Sequence, residues 1–203
     1  MNRLLITGFE PFAGESMNPS YDAVKRLPEK IGEWNIVKEL LPVGFKEGPE
    51  KLEEFIHKWE PQVVICVGQA GGRSCVNIER VAVNMADATI ADNFGVMPDE
   101  QVLIKDGPDG FFSNLPVKKM AKNVIDHGYP CVVSNTAGTF VCNSVFYKAL
   151  YMAAADGNIM GAGFIHVPFV YQQLVGDKIS RPGMSLDGIA ESIRYAIEAI
   201  PVL

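Results

Sequence analysis

Short apolar runs along this chain alternate with segments whose apolar residues recur every three or four positions. Continuous or alternating apolar runs of this length are typical of strands, and the three-to-four spacing is typical of amphipathic helices. The runs predict strands at residues 3–7, 34–41, 62–67, 131–134 and 161–167. The amphipathic segments predict helices at about 19–27, 47–59, 117–126, 144–154 and 186–200.

Residues at the ends of these segments support the helix predictions. Asn18 and Ser185 are good N-caps, and Pro19 suits the first position of a helix. His127 followed by Gly128 is a typical C-terminus for the helix predicted at 117–126. A cation is favoured at that end of a helix, so His127 also fits a capping role.

The stretch from residue 76 to 110 is less regular than the rest. Residues 76–85 predict a strand that carries Glu79, residues 101–105 a short strand, and residues 106–110 a turn, with 87–98 irregular between them. This stretch is the candidate source of antiparallel strands. Strands that alternate with amphipathic helices predict one α/β domain over residues 1–203, a three-layer α/β/α sandwich with a twisted, mostly parallel central sheet.

Composition narrows the classes of partner. Of the 203 residues, 48% are hydrophobic and 21% charged, and the net charge is −6 without a dense basic cluster, which disfavours nucleic acid. No apolar run approaches the ~18 residues of a membrane span. Gly8 and Glu10 interrupt the region where a secretion signal would be apolar, so we expect a cytoplasmic protein. Its cysteines lack paired spacing and are expected to be reduced thiols: Cys66, Cys75, Cys131 and Cys142.

Four segments follow predicted strands, at 8–14, 68–73, 136–142 and 166–168, and ligands of open α/β sheets bind where strands end. Cys142 stands where a loop becomes a helix, whose free N–H groups and dipole favour a thiolate. His166 can act as its base near neutral pH. Glu79 interrupts an apolar strand and is the best candidate to hold the imidazole.

Structural alternatives exist for each of these residues. Cys142 fits equally well as a small buried hydrophobe, and His166 as a hydrogen-bonded structural histidine. Glu79 is also able to pair with Arg73 or Arg80. Rival residues for orienting the histidine are Glu10, Asp87 and Asp92. The remaining histidines fit a charged helix surface, at His57, and a helix C-terminus, at His127.

Six motifs, taken in order, resemble the cytoplasmic cysteine peptidases of the pyroglutamyl peptidase type I family over nearly the whole chain. Each motif alone is weakly specific, but together they are highly specific. They are Ile6-Thr-Gly-Phe-Glu-Pro-Phe12, Gly68-Gln-Ala-Gly-Gly-Arg73, Glu79-Arg-Val-Ala-Val-Asn84, Asp92-Asn-Phe-Gly95, Ser134-Asn-Thr-Ala-Gly-Thr-Phe-Val-Cys-Asn143 and Phe164-Ile-His-Val-Pro-Phe169.

The resemblance implies removal of N-terminal pyroglutamyl (5-oxoproline) residues from peptides by a homotetramer without metal or cofactor. It implies Cys142 as the nucleophile, His166 as base and acid, and Glu79 as the residue that orients the histidine. Pyroglutamate is a small, uncharged lactam, so we expect an apolar pocket with a few hydrogen-bonding groups. With the support of the resemblance, the pocket candidates are Phe9, Phe12, Gln69, Ile90, Phe140 and Val141, and Asn18 is a further candidate.

Three positions depart from what the resemblance implies. Thr89 stands where the family usually has an arginine assigned to the oxyanion region, so either backbone groups suffice there or Arg73 or Arg80 compensates. Ser144 replaces a common histidine, and Cys75 a usual polar residue. The alternative function is a non-catalytic or phosphate- or cofactor-binding α/β module, although no standard nucleotide-binding glycine motif follows the first strand.

Overall fold

Eleven strands and five helices make up the fold, which is described for residues 2–176 and 180–202 of a computed structural model. The strands are β1 (Arg3–Phe9), β2 (Lys30–Ile31), β3 (Trp34–Leu41), β4 (Val63–Gln69), β5 (Val76–Glu79), β6 (Val81–Val83), β7 (Gly110–Phe112), β8 (Cys131–Ser134), β9 (Gly161–Val167), β10 (Phe169–Val170) and β11 (Gly183–Met184). The helices are α1 (Pro19–Arg26), α2 (Glu47–Trp59), α3 (Val117–Asp126), α4 (Val141–Ala155) and α5 (Leu186–Glu198), and a 3₁₀ turn spans Tyr171–Leu174.

Seven of these strands form the central sheet, in the order β2-β3-β1-β4-β9-β5-β8. Strands β3, β1, β4 and β9 run parallel to one another, and β5 runs parallel to β8. The two groups meet where β5 pairs antiparallel with β9, and β2 pairs antiparallel with β3 at one edge. The sheet is therefore mostly parallel, as the sequence predicts.

Helices cover both faces of the sheet. On one face, α1, α3 and α5 bury side chains such as Val24, Val124 and Ile193 against the sheet. On the other face, α2 and α4 bury side chains such as Leu52 and Phe146. Because β1, β4 and β9 are covered on both sides, they consist almost entirely of buried residues. The three-layer α/β/α sandwich is confirmed.

The helices begin and end at the capping residues that the sequence predicts. The Asn18 side chain accepts a hydrogen bond from Ser20 N at 3.1 Å, and Ser185 Oγ accepts one from Gly188 N at 3.0 Å. His127 is the C-cap of α3, so its predicted position at the helix end is confirmed. Within the described part of the chain, every helix is too short or too polar to cross a membrane.

The least regular stretch is where the predictions fail in detail. The strand predicted at 76–85 is two strands, because the chain leaves the sheet at Arg80, whose N–H bonds to Ser134 O and whose carbonyl accepts from Ser113 N. The second part, β6, pairs with β7 instead. The strand predicted at 101–105 was wrong: Gln101 forms only an isolated bridge with Ala86.

Candidate active site

Glu79 of β5 and His166 of β9 form a buried hydrogen bond between neighbouring strands. Because β5 pairs antiparallel with β9, Asn77 lies opposite His166 and Glu79 opposite Phe164, so both side chains project from the same face. The distance from His166 Nδ1 to Glu79 Oε1 is 2.8 Å, and both residues are almost fully buried. A carboxylate oxygen only accepts, so Nδ1 carries the proton and Nε2 is left as the basic nitrogen.

Cys142 reaches this pair by an unexpected route. Since β8 runs antiparallel to β4 and β9, the segment after it does not continue to the edge at which those strands end. Instead, the loop at 135–140 leads into α4, which begins at Val141 rather than at the predicted residue 144. Cys142 therefore lies inside the first turn of the helix.

Gly68 shows how closely the sulfur approaches the sheet. This glycine pairs with His166 across β4 and β9, so a side chain at 68 would project beside the imidazole. A methyl group added there would lie only 2.7 Å from Cys142 Sγ and 2.8 Å from the Phe164 ring. The Cys142 sulfur thus occupies the space next to Gly68, on the imidazole's side of the sheet.

The ionisation of these groups is governed by burial. Desolvation raises the pKa of Cys142 to about 12, and the negative charge of Glu79 adds to this effect, while Arg73 and the backbone N–H of Cys142 oppose it. The thiolate expected from the helix N-terminus alone is therefore not the resting form. Burial also lowers the pKa of His166 below its ordinary 6.5, although the hydrogen bond to Glu79 opposes the shift. The resting pair is a thiol beside a neutral imidazole.

Glu79 stays ionised despite its position. Burial alone would raise the pKa of Glu79, but the hydrogen bond from His166, with help from the Arg73 guanidinium, brings it below its ordinary value. Arg73 Nη1 donates to Glu79 Oε1 at 2.6 Å, and its Nη2 donates to Thr136 O at 3.2 Å. Arg73 therefore ties the carboxylate to the loop that leads to Cys142.

A cavity of about 290 Å³ opens beside the cysteine and the histidine. It is mostly apolar, as predicted for a lactam pocket, and its size suits a small ring. Its lining residues are Phe9, Phe12, Asn18, Val43, Gln69, Ala70, Arg73, Thr136, Ala137, Gly138, Phe140, Val141, Cys142 and His166.

Five of the six pocket residues proposed from the sequence line this cavity, and Ile90 does not. Phe12 and Phe140 face each other with ring centroids 6.2 Å apart, and Phe45 packs edge-on against Phe140 at 5.1 Å. Ile90 lies in the irregular stretch, where 49% of its surface is exposed, and it is not among the lining residues. Nothing in its local sequence distinguishes it from a pocket residue, since its position depends on the long loop.

The three residues considered as alternatives to Glu79 for orienting the histidine lie elsewhere, and two of them bind backbone N–H groups. Asp92 accepts backbone N–H bonds from Phe45, Phe94 and Val96, and Glu10 accepts one from Val43 N. Asp87 is exposed and its backbone pairs with Thr139. Within the described residues, none of the three forms a hydrogen bond with His166.

The other two histidines lie away from the cavity. His57 is exposed on α2. His127 pairs through Nδ1 with Asn123 O at 2.7 Å and stacks on Tyr195 at a centroid distance of 3.7 Å. His166 is thus the one histidine of the chain that lines the cavity beside Cys142.

Two backbone donors lie at the start of α4. Asn143 N and Ser144 N both bond to Phe140 O, whereas Val141 N and Cys142 N have no hydrogen bond to another residue of the described chain. Such free N–H groups at a helix N-terminus can receive an oxyanion. Thr89 is exposed and does not line the cavity, and of the two arginines considered in its place only Arg73 does.

Sequence reasoning missed several wall residues, including Val43, Ala70 and Ala137. Their small or apolar side chains carry no chemical signal. Val43, for example, reaches the cavity because the register of β1 and β3 pairs Phe9 with Leu41 and so brings the segment after β3 beside the Phe9 wall.

A thiol, a neutral imidazole and a carboxylate bonded to that imidazole, beside a cavity, are the groups that α/β cysteine hydrolases use. Residues 2–202 match the profile of the family described as pyroglutamyl peptidase. The pyrrolidone-carboxylate peptidase of Thermosipho melanesiensis is 46% identical over 198 residues, covering 98% of each chain. This chain belongs to the pyroglutamyl peptidase family, whose members are cysteine peptidases.

Solved structures support the same assignment. The pyroglutamyl peptidase I from Bacillus amyloliquefaciens has a TM-score of 0.95 and 39% identity, covering 100% of this chain and 97% of its own. A mutant pyrrolidone carboxyl peptidase from Pyrococcus furiosus gives a TM-score of 0.94 at 39% identity, with 98% and 97% coverage. Family membership favours the peptidase prediction over the alternative of a non-catalytic or cofactor-binding module.

The close approach at Gly68 generates a prediction. Gly68→Ala should lower kcat/KM on a pyroglutamyl amide about 10- to 100-fold, because the new methyl group displaces the Cys142 sulfur by a large part of an ångström. Gly163→Ala is the control, since its methyl group would meet only the flexible end of Leu115 and Ser113 Oγ. Wild-type kcat/KM in Gly68→Ala would contradict the placement of the sulfur.

Proposed function

We propose that this protein hydrolyses the bond after an N-terminal pyroglutamyl residue of a peptide, through a thioester acyl-enzyme on Cys142. The observation that carries the proposal is the Glu79–His166 hydrogen bond, with the basic nitrogen of the histidine directed away from the carboxylate, beside a cavity that also contains Cys142. Membership of the pyroglutamyl peptidase family supports the substrate class.

The first step is a coupled proton transfer and attack. His166 Nε2 takes the proton of the Cys142 thiol as the sulfur bonds to the pyroglutamyl carbonyl carbon. The imidazolium that forms is stabilised by Glu79, whose Oε1 already accepts the Nδ1 proton. Because the resting thiol has a raised pKa, the histidine is needed as a base and not only as a counter-ion.

The oxyanion of the tetrahedral intermediate is received by the free N–H groups of Val141 and Cys142. These backbone donors supply what the position of Thr89 does not. As the intermediate collapses, His166 gives its proton to the leaving amine, and the thioester forms. A water activated by the same imidazole then hydrolyses the thioester and releases pyroglutamate.

The charges around the cavity explain the selection of a lactam. No aspartate or glutamate stands among the cavity-lining residues of the described chain, and the Arg73 guanidinium at the wall is already paired with the buried Glu79 carboxylate. An ordinary N-terminal ammonium would lose its water in this apolar cavity without gaining a partner. A neutral lactam avoids this cost, and its flat ring fits between aromatic walls such as Phe9 and Phe12.

We expect the natural partners to be cytoplasmic peptides that begin with pyroglutamate. The net charge of −6 supports neither nucleic acid nor an anionic membrane surface as a partner. The chemistry described needs only the side chains and backbone groups named here and a water molecule.

The function is tested by release of a chromophoric amine from its pyroglutamyl amide. Wild-type protein should release the amine and lose activity after iodoacetamide treatment, while Cys142→Ala and His166→Ala should each lower kcat by about 10³-fold or more. His127→Ala is the matched histidine control and should keep wild-type activity. Undiminished turnover by Cys142→Ala would reject the nucleophile, and absence of turnover by wild-type protein would reject the substrate class.

We also infer that the active protein is a homotetramer, as the family resemblance implies. Support comes from the irregular stretch, where large apolar side chains are concentrated on the surface. They are Met85 (40% exposed), Ile90 (49%), Phe94 (53%), Val96 (44%), Met97 (59%) and Val102 (65%). Burying such a patch against a second copy of the chain would remove its apolar area from water.

Sedimentation velocity measures this assembly directly. The wild-type protein should sediment with about four times the 22.2 kDa mass of one chain, and Met97→Asp should shift the distribution toward smaller species. Ile125→Asp, at an exposed position of α3, is the control and should sediment as wild type. A monomeric wild-type protein at micromolar concentration would overturn the inference.

A further inference from the structure

Helix α4 begins without a capping side chain. Its N-cap residue is Phe140, which makes no side-chain hydrogen bond to the helix. The usual caps are serine, threonine, asparagine and aspartate, whose side-chain oxygen accepts from the second or third N–H group of the helix. The second helical residue here is Cys142, so a cap would compete with the substrate oxyanion for its N–H group. An uncapped helix start is prone to fraying, so the turn that carries Cys142 needs another attachment.

Asn143, the residue after Cys142, makes such an attachment. Its side chain is fully buried, and it does not line the cavity. Its Oδ1 accepts from Val83 N at 2.9 Å, and its Nδ2 donates to Val83 O and to Met85 O, each also at 2.9 Å. A backbone N–H only donates and a carbonyl only accepts, so this orientation of the amide is fixed by its partners. Both ends of the Asn143 amide are thus bound to the backbone of one segment.

The residue before the N-cap bonds to the same segment from the other side of Cys142. Thr139 Oγ1 donates to Asp87 O at 2.9 Å, and Asp87 N donates to Thr139 O at 3.1 Å. The start of α4 is therefore tied to residues 83–87 both before and after the cysteine. These bonds use side chains and the Thr139 carbonyl, so they leave the first N–H groups of the helix free.

The segment at 83–87 is itself held in place by backbone hydrogen bonds. It begins with the last residue of β6, which pairs antiparallel with β7. Asn84 N donates to Asp109 O at 2.8 Å. Ala86 and Gln101 exchange backbone hydrogen bonds of 2.7 and 2.8 Å. The segment is therefore a fixed support to which the start of α4 is attached.

We propose that Asn143 is a positioning residue that holds the first turn of α4, so that the N–H groups of Val141 and Cys142 keep their place without a cap. Both of these residues line the cavity, whereas Asn143 acts from outside it. Donors stabilise an oxyanion only when they are already in place around the position that it will occupy. The proposal rests on the function proposed above and adds the residue that keeps its oxyanion donors in position.

Two rates measured on Asn143→Ala separate this role from a purely structural one. The substitution removes all the side-chain bonds to the support and should lower kcat/KM on a pyroglutamyl amide about 10- to 100-fold, because the oxyanion donors are misplaced. Alkylation of Cys142 by iodoacetamide forms no oxyanion, since the sulfur displaces iodide from a saturated carbon while His166 takes the proton. Its rate should stay within about threefold of wild type. A parallel loss of both rates would overturn the proposal.

The matched control is Asn84→Ala, because Asn84 makes the same pattern of bonds in the same segment. Its Oδ1 accepts from Ile104 N at 2.9 Å, and its Nδ2 donates to Ile104 O at 2.9 Å and to Gly107 O at 3.2 Å. The control loses hydrogen bonds of the same kind and number but none to α4. Its kcat/KM should stay within about threefold of wild type. An equal loss of kcat/KM in the two alanine variants would contradict the proposal.

Two further variants keep the test decisive if Asn143→Ala does not fold. Asn143→Asp has the same size and still accepts from Val83 N, but it sets a carboxylate oxygen against the carbonyls of Val83 and Met85, so it should lose at least as much kcat/KM. Asn143→Ser keeps one hydroxyl donor and should show the same split between turnover and alkylation at smaller size. A wild-type protein that releases no amine defeats the proposed function, whereas an active enzyme with kcat/KM insensitive to these substitutions defeats only the positioning role.

Discussion

The hydrogen bond between Glu79 and His166 is the interaction on which the site depends. A carboxylate fully buried inside a sheet is costly unless it is paired and hydrogen-bonded, and here a single oxygen accepts from both the imidazole and Arg73. The pairing fixes which imidazole nitrogen carries the proton. It leaves the other nitrogen unprotonated, as the proposed base for the half-buried thiol of Cys142.

The topology of the central sheet permits this pairing because β5 runs antiparallel to β9. The antiparallel register of β5 and β9 places Glu79 opposite Phe164, one side-chain position from His166 on the same face of the sheet. The same reversal makes β8 antiparallel to β4 and β9, so the segment that holds Cys142 leaves β8 at the edge opposite to that at which those strands end. Gly68 leaves the space in which the sulfur then rests. The three segments converge where the strand direction reverses between β9 and β5.

Much of this arrangement could be predicted from the sequence, and the predictions that failed share one cause. Apolar periodicity gave the bounds of α2 and α3 and of β3, β8 and β9, because local packing decides them. The resemblance motifs named Glu79, Cys142 and His166 before their geometry was known. What failed depended on contacts between distant segments: the break at Arg80, the reversed direction of β8, and the placement of Ile90 outside the cavity. The raised pKa of Cys142 likewise reflects burial, which a helix N-terminus in the sequence cannot reveal.

The central claim is that His166 is neutral in the free protein, protonated on Nδ1 by its bond to Glu79 and unprotonated on Nε2. Nitrogen-15 NMR of the imidazoles tests it directly, since the chain has only three histidines and the signals of His166 are those lost in His166→Ala. The account predicts one protonated and one unprotonated ring nitrogen at pH 7, with the imidazole becoming charged only below its ordinary pKa of 6.5 as the pH falls. Two protonated nitrogens at pH 7, or a proton on Nε2 alone, would contradict it.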